Sequence, residues 1–434
     1  MQKNENTVKT FDRLIAICQA QNASDIHFSV GQHPICRING ELVRLERLGT
    51  FTNSDIKQFV EATVPDIKLK EMETDKQTDY AYQTEDGIRL RCNAFMQQET
   101  YALAVRILSN KKCTVNSLGL PEVLYKICDS SSGLVLVTGP TGSGKSTTLS
   151  AMIRYINEKR SCHILTIEDP IEYKHTSVKA LVNQREVGAD AVSFGTALKG
   201  ALRQDPDVIL IGEMRDLESI AIAVTAAETG HLVFGTLHTL GAAQTIDRLI
   251  DVFPADQQQQ IRVQLSGALK AVISQRLVQS SDRKQRVPVN EIMLVTDAIA
   301  NNIREGKTAA IHNAIATGAK IGMVSFELSL FGLVRKGVIS KEKAFETAND
   351  PGTLESLFVP AHRRGSLCRL RLYNLMKHFI GHGMTNFCRL TAGKYVSVCP
   401  RLNYVSPLGA NIRYQRLFTD KRFVFKVVIL GGSE

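Results

Sequence analysis

Near the start of the chain Val8, Phe11, Leu14, Ile15 and Cys18 recur at helical spacing and predict an amphipathic helix. Beyond it the apolar period shortens to two, the signature of strands. Short strands are predicted at 25–30, 35–38 and 41–45, the last two joined by Asn39-Gly40, a dipeptide that tolerates the positive φ of a tight hairpin. A second hairpin is predicted at 79–84 and 88–95 around Glu85-Asp86-Gly87. In its second strand Ile88, Leu90, Cys92 and Ala94 share one face while Arg89, Arg91 and Asn93 share the other. A further strand at 101–108 runs into Ser109-Asn110-Lys111-Lys112, read as a linker over 109–112. Residues 1–108 therefore read as a small α+β domain.

From residue 118 to about 273 the pattern changes to continuously apolar strands, at 134–138, 163–167, 208–211 and 232–236, with helices between them. Strands of this kind belong to a mainly parallel sheet covered on both faces, an α/β arrangement. Residues 290–348 read as helices, which places the second domain at 113–350.

Charge changes this picture only at the end of the chain. The protein has a net charge of +10, which by itself suggests an acidic partner such as nucleic acid. Residues 351–434 hold 13 Lys and Arg against three Asp and Glu, so of 53 basic and 43 acidic residues in the chain 40 of each remain in 1–350. The body is neutral and the basic excess lies wholly in the tail, which argues against nucleic acid as the partner of the body. Nine cysteines are scattered without a CxxC pair, so reduced thiols are expected rather than a zinc ribbon or a disulfide framework. No apolar run approaches the length of a membrane span, and the polar N-terminus lacks the pattern of a signal peptide. A cytoplasmic location is expected.

Four elements carry chemistry. Gly139-Pro140-Thr141-Gly142-Ser143-Gly144-Lys145-Ser146-Thr147 satisfies GxxxxGK[ST] directly after a predicted strand and at the start of a helix, the context of a phosphate-binding loop. Backbone N–H groups and the helix N-terminus suit phosphate. Lys145 should reach the β/γ-phosphates, and the Ser146 hydroxyl should ligate Mg²⁺. Thr166-Ile167-Glu168-Asp169-Pro170-Ile171-Glu172-Tyr173 places carboxylates at the C-terminal end of a strand, where parallel sheets bind ligands. Val208-Ile209-Leu210-Ile211-Gly212-Glu213 has the form of a Walker B strand with Glu in place of Asp. A carboxylate there suits the Mg²⁺ shell or the attacking water. His231 and His238 flank the strand 232–236. Without a third ligand at metal spacing they do not read as a zinc site.

In this order the four elements resemble the Walker A, Asp box, Walker B and His box of the type II/IV secretion ATPase superfamily. The similarity is greatest to its pilus-retraction (twitching-motility) ATPases. Leu202-Arg203-Gln204-Asp205-Pro206-Asp207, Thr225-Ala226-Ala227-Glu228-Thr229-Gly230, Thr245-Ile246-Asp247-Arg248 and Val252-Phe253-Pro254 carry it further, over roughly residues 8–350. The resemblance implies a PAS-like N-terminal domain and a RecA-like ATPase core, using ATP and Mg²⁺. It also implies a homo-hexamer with nucleotide between the core of one subunit and the N-terminal domain of the next. Glu168 would then be the general base and Glu213 would support Mg²⁺, although the two roles are exchangeable at this stage. His231 and His238 would contact the phosphate region, and Arg91 and Arg106 would supply positive charge from the N-terminal domain. The partners implied are an inner-membrane pilus platform protein and, indirectly, pilin, with the ring at the inner face of the membrane. A stretch at 298–305, Ala298-Ile299-Ala300-Asn301-Asn302-Ile303-Arg304-Glu305, resembles a retraction element of the family. Ala300 stands there where the family has Arg, and Asn302 where it has Leu.

A pilus-assembly or type II secretion ATPase is the alternative within the superfamily; its longer N-terminal region and four-cysteine insert are not found. A nucleic-acid motor is disfavoured by the neutral body, and a non-hydrolysing scaffold by the presence of Lys145, Glu168 and Glu213. Residues 351–434 read as a basic tail, either an appended module or a frameshifted or disordered end, with 422–430 a candidate strand.

Overall fold

The structure, a computed structural model, describes residues 5–38, 40–108, 113–214, 216–283, 285–359, 403–405, 411–419 and 422–430. The expected linker 109–112 lies outside the described residues, as do most of the tail calls. Two compact units are distinguished, Met1–Ala361 and His362–Glu434.

The first unit contains two sheets. The N-terminal one has six strands: β1 (Ala23–Phe28), β2 (Ile35–Ile38), β3 (Glu41–Arg44), β4 (Gln77–Gln83), β5 (Arg89–Gln97) and β6 (Thr100–Ile107). Their order is β3-β2-β1-β6-β5-β4 and every pairing is antiparallel. The helices Glu5–Ala20 and Asn53–Thr63 cover it, the second started by a capping box between Thr52 and Asp55. Phe11, Phe28 and Phe59 meet in its core with ring centroids 5.4–6.1 Å apart. This spacing is that of mutually tilted aromatic packing.

The second sheet has seven strands: β7 (Gly133–Thr138), β8 (His163–Glu168), β9 (Leu181–Glu186), β10 (Val208–Ile211), β11 (Leu232–Leu237), β12 (Leu269–Gln279) and β13 (Arg286–Leu294). Their order is β13-β12-β7-β11-β10-β8-β9, and only β12 and β13 pair antiparallel. Strands β7, β10 and β11 are buried along their whole length. Alternate side chains feed two cores: Leu134, Leu136, Ile209 and Ile211 on one face, Val135, Val137, Val208 and Leu210 on the other. This two-sided burial is why these strands read as unbroken apolar runs.

Two expectations are corrected. Residues 290–294 belong to β13, and helices begin only at Asp297. The buried Asn290 and Glu291 break the apolar pattern of that strand, which is held by its ladder to β12. The break expected after Asp350 is also displaced. Asp350 caps a helix, Pro351–Phe358, accepting from the N–H groups of Gly352 and Thr353 at 2.9 and 3.1 Å. Leu354 of that helix is fully buried beside Phe326 and Leu330. In the second unit the described residues form β14 (Asn403–Val405), β15 (Asn411–Thr419) and β16 (Arg422–Leu430), joined antiparallel in that order.

Candidate active site

The C-terminal ends of β7, β8, β10 and β11 open on one cleft of about 840 Å³. The loop leaving β7 enters the helix Lys145–Lys159 through Gly144, at φ 87°. At Gly139 a Cβ would fall 2.2 Å from the Gln275 carbonyl oxygen, so no side chain fits where the loop crosses β12. The Lys145 ammonium donates to the Gly139 and Pro140 carbonyls at 2.7 and 3.2 Å. Burial lowers its pKa, and Glu213 and Glu172 oppose that shift. Residues 141–147 line the cleft, Ser146 among them. Thr147 Oγ1 shares a 2.8 Å hydrogen bond with the Tyr173 hydroxyl.

Gln275, on β12, was not found from the sequence. Its side chain is almost fully buried, accepts from Thr148 Oγ1 at 2.8 Å and donates through Nε2 to the Ser143 carbonyl at 2.7 Å. It thus ties both the loop and the first turn of its helix to the sheet. The sequence carries little signal for it, because β12 also carries Ser274 and Arg276 beside Gln275; only the fold shows that this amide is buried with partners.

Glu168 closes β8. Its Oε1 accepts from Thr166 Oγ1 at 2.7 Å and from Gln184 Nε2 at 3.1 Å. Burial, with smaller contributions from Glu172 and Glu186, pushes its carboxyl up to about 6 against these bonds. Glu213 follows β10, and its Oε1 lies 3.1 Å from His238 Nε2, just beyond β11. The parallel pairing of Ile211 with Gly235 brings these two side chains together.

The two histidines part company. His238 lines the cleft. His231 precedes β11 at its opposite end, on the order of 20 Å away for a strand of this length, with Nδ1 2.9 Å from the Ala226 carbonyl. Within one subunit it does not reach the phosphate loop, because the strand between the two residues is extended.

Arg91 and Arg106 face each other across β5 and β6 and line the same cleft. Arg106 Nε donates to Asp25 Oδ1 at 2.7 Å. The resemblance implied that these arginines act at the next subunit's site; within this chain they line the cleft that residues 141–147 also line. The cause lies in contacts between the two sheets. Arg89 Nη2 donates to the Ile171 carbonyl at 2.6 Å and lies 3.5 Å from Glu186 Oε2. Lys174 Nζ reaches Gln83 Oε1 at 2.5 Å. Arg89 is visible in the sequence only as one of three polar residues on a strand face, with nothing to single it out.

The element at 298–305 overlaps the helix Asp297–Arg304, which buries Ile299 and Ile303. Ala300 and Asn302 are only partly buried, so the two departures from the family pattern leave the packed face unchanged.

Across residues 1–350 the sequence matches the family described as type II/IV secretion system protein. It is 48% identical over 338 residues to the type IV pilus retraction ATPase PilT of Pseudomonas aeruginosa, covering 78% of this chain and 98% of that protein. It is 46% identical over 317 residues to a twitching motility protein of Neisseria gonorrhoeae, covering 73% and 84%. A crystal structure of the pilus retraction motor PilT with bound ADP superposes with a TM-score of 0.74 at 42% identity, covering 79% of this chain and 98% of that one.

Proposed function

The chain belongs to the type II/IV secretion system protein family, and on that footing we propose that it is an ATPase motor of type IV pilus retraction. The observation that carries this reading is the convergence of the phosphate loop, Glu168, Glu213 and two N-terminal arginines on one cleft. Its similarity to a pilus retraction ATPase and a twitching motility protein supports retraction over assembly or secretion.

In this proposal residues 139–147 bind the ATP phosphates through backbone N–H groups and Lys145. Glu168 accepts the proton of the attacking water. A carboxyl raised to about 6 and held by neutral donors is ionised near neutrality yet basic enough for that task. Glu213, 3.1 Å from His238 Nε2, is the carboxylate proposed for a divalent ion, which leaves Glu168 as the proposed base. Mg²⁺ fits the oxygen donors Ser146 and Glu213, completed by phosphate and water. Ser143 Oγ in the same loop is buried without a hydrogen-bond partner in the protein. When bound, the ion would offset phosphate charge. Arg91 and Arg106 add positive charge from the opposite wall, where it stabilises the transferring phosphoryl group. His231, far from this cleft, has no proposed part in the chemistry within one subunit.

The unit organisation proposed is a PAS-like domain over 1–108, a linker at 109–112 and a RecA-like core to about 358. Six such subunits would form a ring at the inner face of the membrane against a platform protein, removing pilin as the two domains rotate rigidly on hydrolysis. Among the described residues no helix is long and apolar enough to cross a membrane. Nucleic acid is not a proposed partner.

The test is Mg²⁺-dependent ATPase activity and particle mass of the full chain, together with rescue of twitching in cells lacking their own retraction motor. Hydrolysis by a hexamer, abolished in Glu168→Gln and Glu213→Gln, with twitching restored by the wild type, is expected. Intact hydrolysis without rescue would refute retraction but leave the ATPase reading standing.

A further inference from the structure

Strand β9 contributes a residue that none of the four motifs contains. Gln184 pairs in register with Thr166 across the parallel ladder of β8 and β9, two positions before Glu168. Its side chain therefore stands on the same face as the Glu168 carboxylate. The amide uses all its main bonding capacity there. Nε2 donates to Glu168 Oε1 at 3.1 Å and to the Tyr173 carbonyl at 2.9 Å, while Oε1 accepts from the His175 N–H at 2.7 Å. Two acceptors on one side and one donor on the other fix the orientation of the amide, since a flipped group would oppose oxygen to oxygen.

The consequences run in two directions. Thr166 and Gln184 both meet Oε1 of Glu168, so the carboxylate cannot rotate without breaking both bonds, and Oε2 is left to take a proton. The bonds to Tyr173 and His175 hold the end of the Asp box and the residues just after it. From that segment the Tyr173 hydroxyl reaches Thr147 at the start of the phosphate-loop helix. One amide thus connects the base to the loop that grips the nucleotide.

We propose that Gln184 is a positioning residue for hydrolysis, aligning Glu168 toward the attacking water, with its bonds to Tyr173 and His175 fixing the orientation of the amide. The proposal rests on the reading of Glu168 as general base. An amide suits the task because it donates to a carboxylate without exchanging a proton with it. A methionine of similar length would lose all three bonds. A glutamate would lose both donors and set a second charge beside Glu168.

The experiment measures kcat and KM for ATP, affinity for a fluorescent non-hydrolysable ATP analogue, and the melting curve of the full chain. It compares wild type, Gln184→Met, Gln184→Glu, Thr166→Val and Glu168→Gln. In Gln184→Met kcat is expected to fall about tenfold, part of what a well-placed base contributes, with KM and analogue affinity within about twofold. Thr166→Val should show a smaller loss of the same kind. If Gln184→Met does not fold, Gln184→Glu, equal in size, serves in its place with an equal or larger loss. An unchanged kcat in a folded Gln184 variant, with Glu168→Gln inactive, would overturn the proposal and spare the base. Parallel losses in kcat and analogue binding would overturn it too, since they mark a merely structural role. Wild-type kcat in Glu168→Gln would instead refute the base reading beneath it.

Discussion

Gln275→Leu isolates what holds the phosphate loop in shape before any nucleotide arrives. The side chain is 2% exposed, and its partners Thr148 and Ser143 are 1% and 3% exposed. Water therefore cannot replace the bonds lost. Leucine is one atom shorter than glutamine and removes both contacts, leaving the Thr148 hydroxyl and the Ser143 carbonyl without their partner. Each such orphan costs about 1–3 kcal/mol. Apolar burial of the leucine and a fallback bond from Thr148 to its own helix offset part of this. A net loss of about 3 kcal/mol is expected. The released loop should bind nucleotide roughly tenfold more weakly, a difference of about 1.4 kcal/mol. Thr148→Val removes one orphan in advance, so the double variant should be about 1 kcal/mol more stable than the two single losses combined. The chain has no tryptophan, so denaturant unfolding is followed by far-UV circular dichroism, with analogue binding measured in parallel. A loss below about 0.5 kcal/mol, or strict additivity with Thr148→Val, would refute the claim that this amide braces the loop.

Arg89→Met should loosen the contact between the two sheets. The Arg89 and Glu186 side chains are only 9% and 14% exposed, so truncation strands a poorly solvated carboxylate, at a cost of about 2–4 kcal/mol. Hydrogen exchange should speed up over residues 169–175, and unchanged exchange there would count against the latch. Titration of Glu168 gives a second expectation. Burial raises its folded pKa to about 6, above the ordinary glutamate range, so ATPase activity should decline as pH falls through about 6 and the carboxylate is protonated. The stability effect has the opposite sense. The fold favours the neutral acid, so this group's contribution is fully present below the ordinary carboxyl range and is lost as pH rises through about 6. The loss is about 2 kcal/mol, and it should be absent in Glu168→Gln. An acid limb that stays in place in a variant lacking the neighbouring charges, Glu172→Gln with Glu186→Gln, would mean that burial alone sets the value.

The sequence by itself determined the elements whose instructions are local. The phosphate loop announces itself because glycine spacing, lysine and helix start must sit together in the chain to surround a phosphate. Strands β7, β10 and β11 were legible because burial on both faces demands an unbroken apolar run, and the Glu168 and Glu213 positions followed as the acids at such strand ends. The helix Glu5–Ala20 was legible from the spacing of Phe11, Leu14, Ile15 and Cys18. Tertiary structure alone decided the rest. Strand β9 is a polar edge strand that exists only through its ladder with β8, and β13 buries Asn290 and Glu291 where periodicity expects apolar residues. The separation of His231 from His238 depended on which end of β11 faces the cleft. Gln184, Gln275 and Arg89 lie 16, 127 and 82 residues along the chain from Glu168, Thr148 and Ile171, the groups they bind. A hydrogen bond is set by distances of about 3 Å in space, and no period or motif in the chain records which distant polar residue the fold will bring that close.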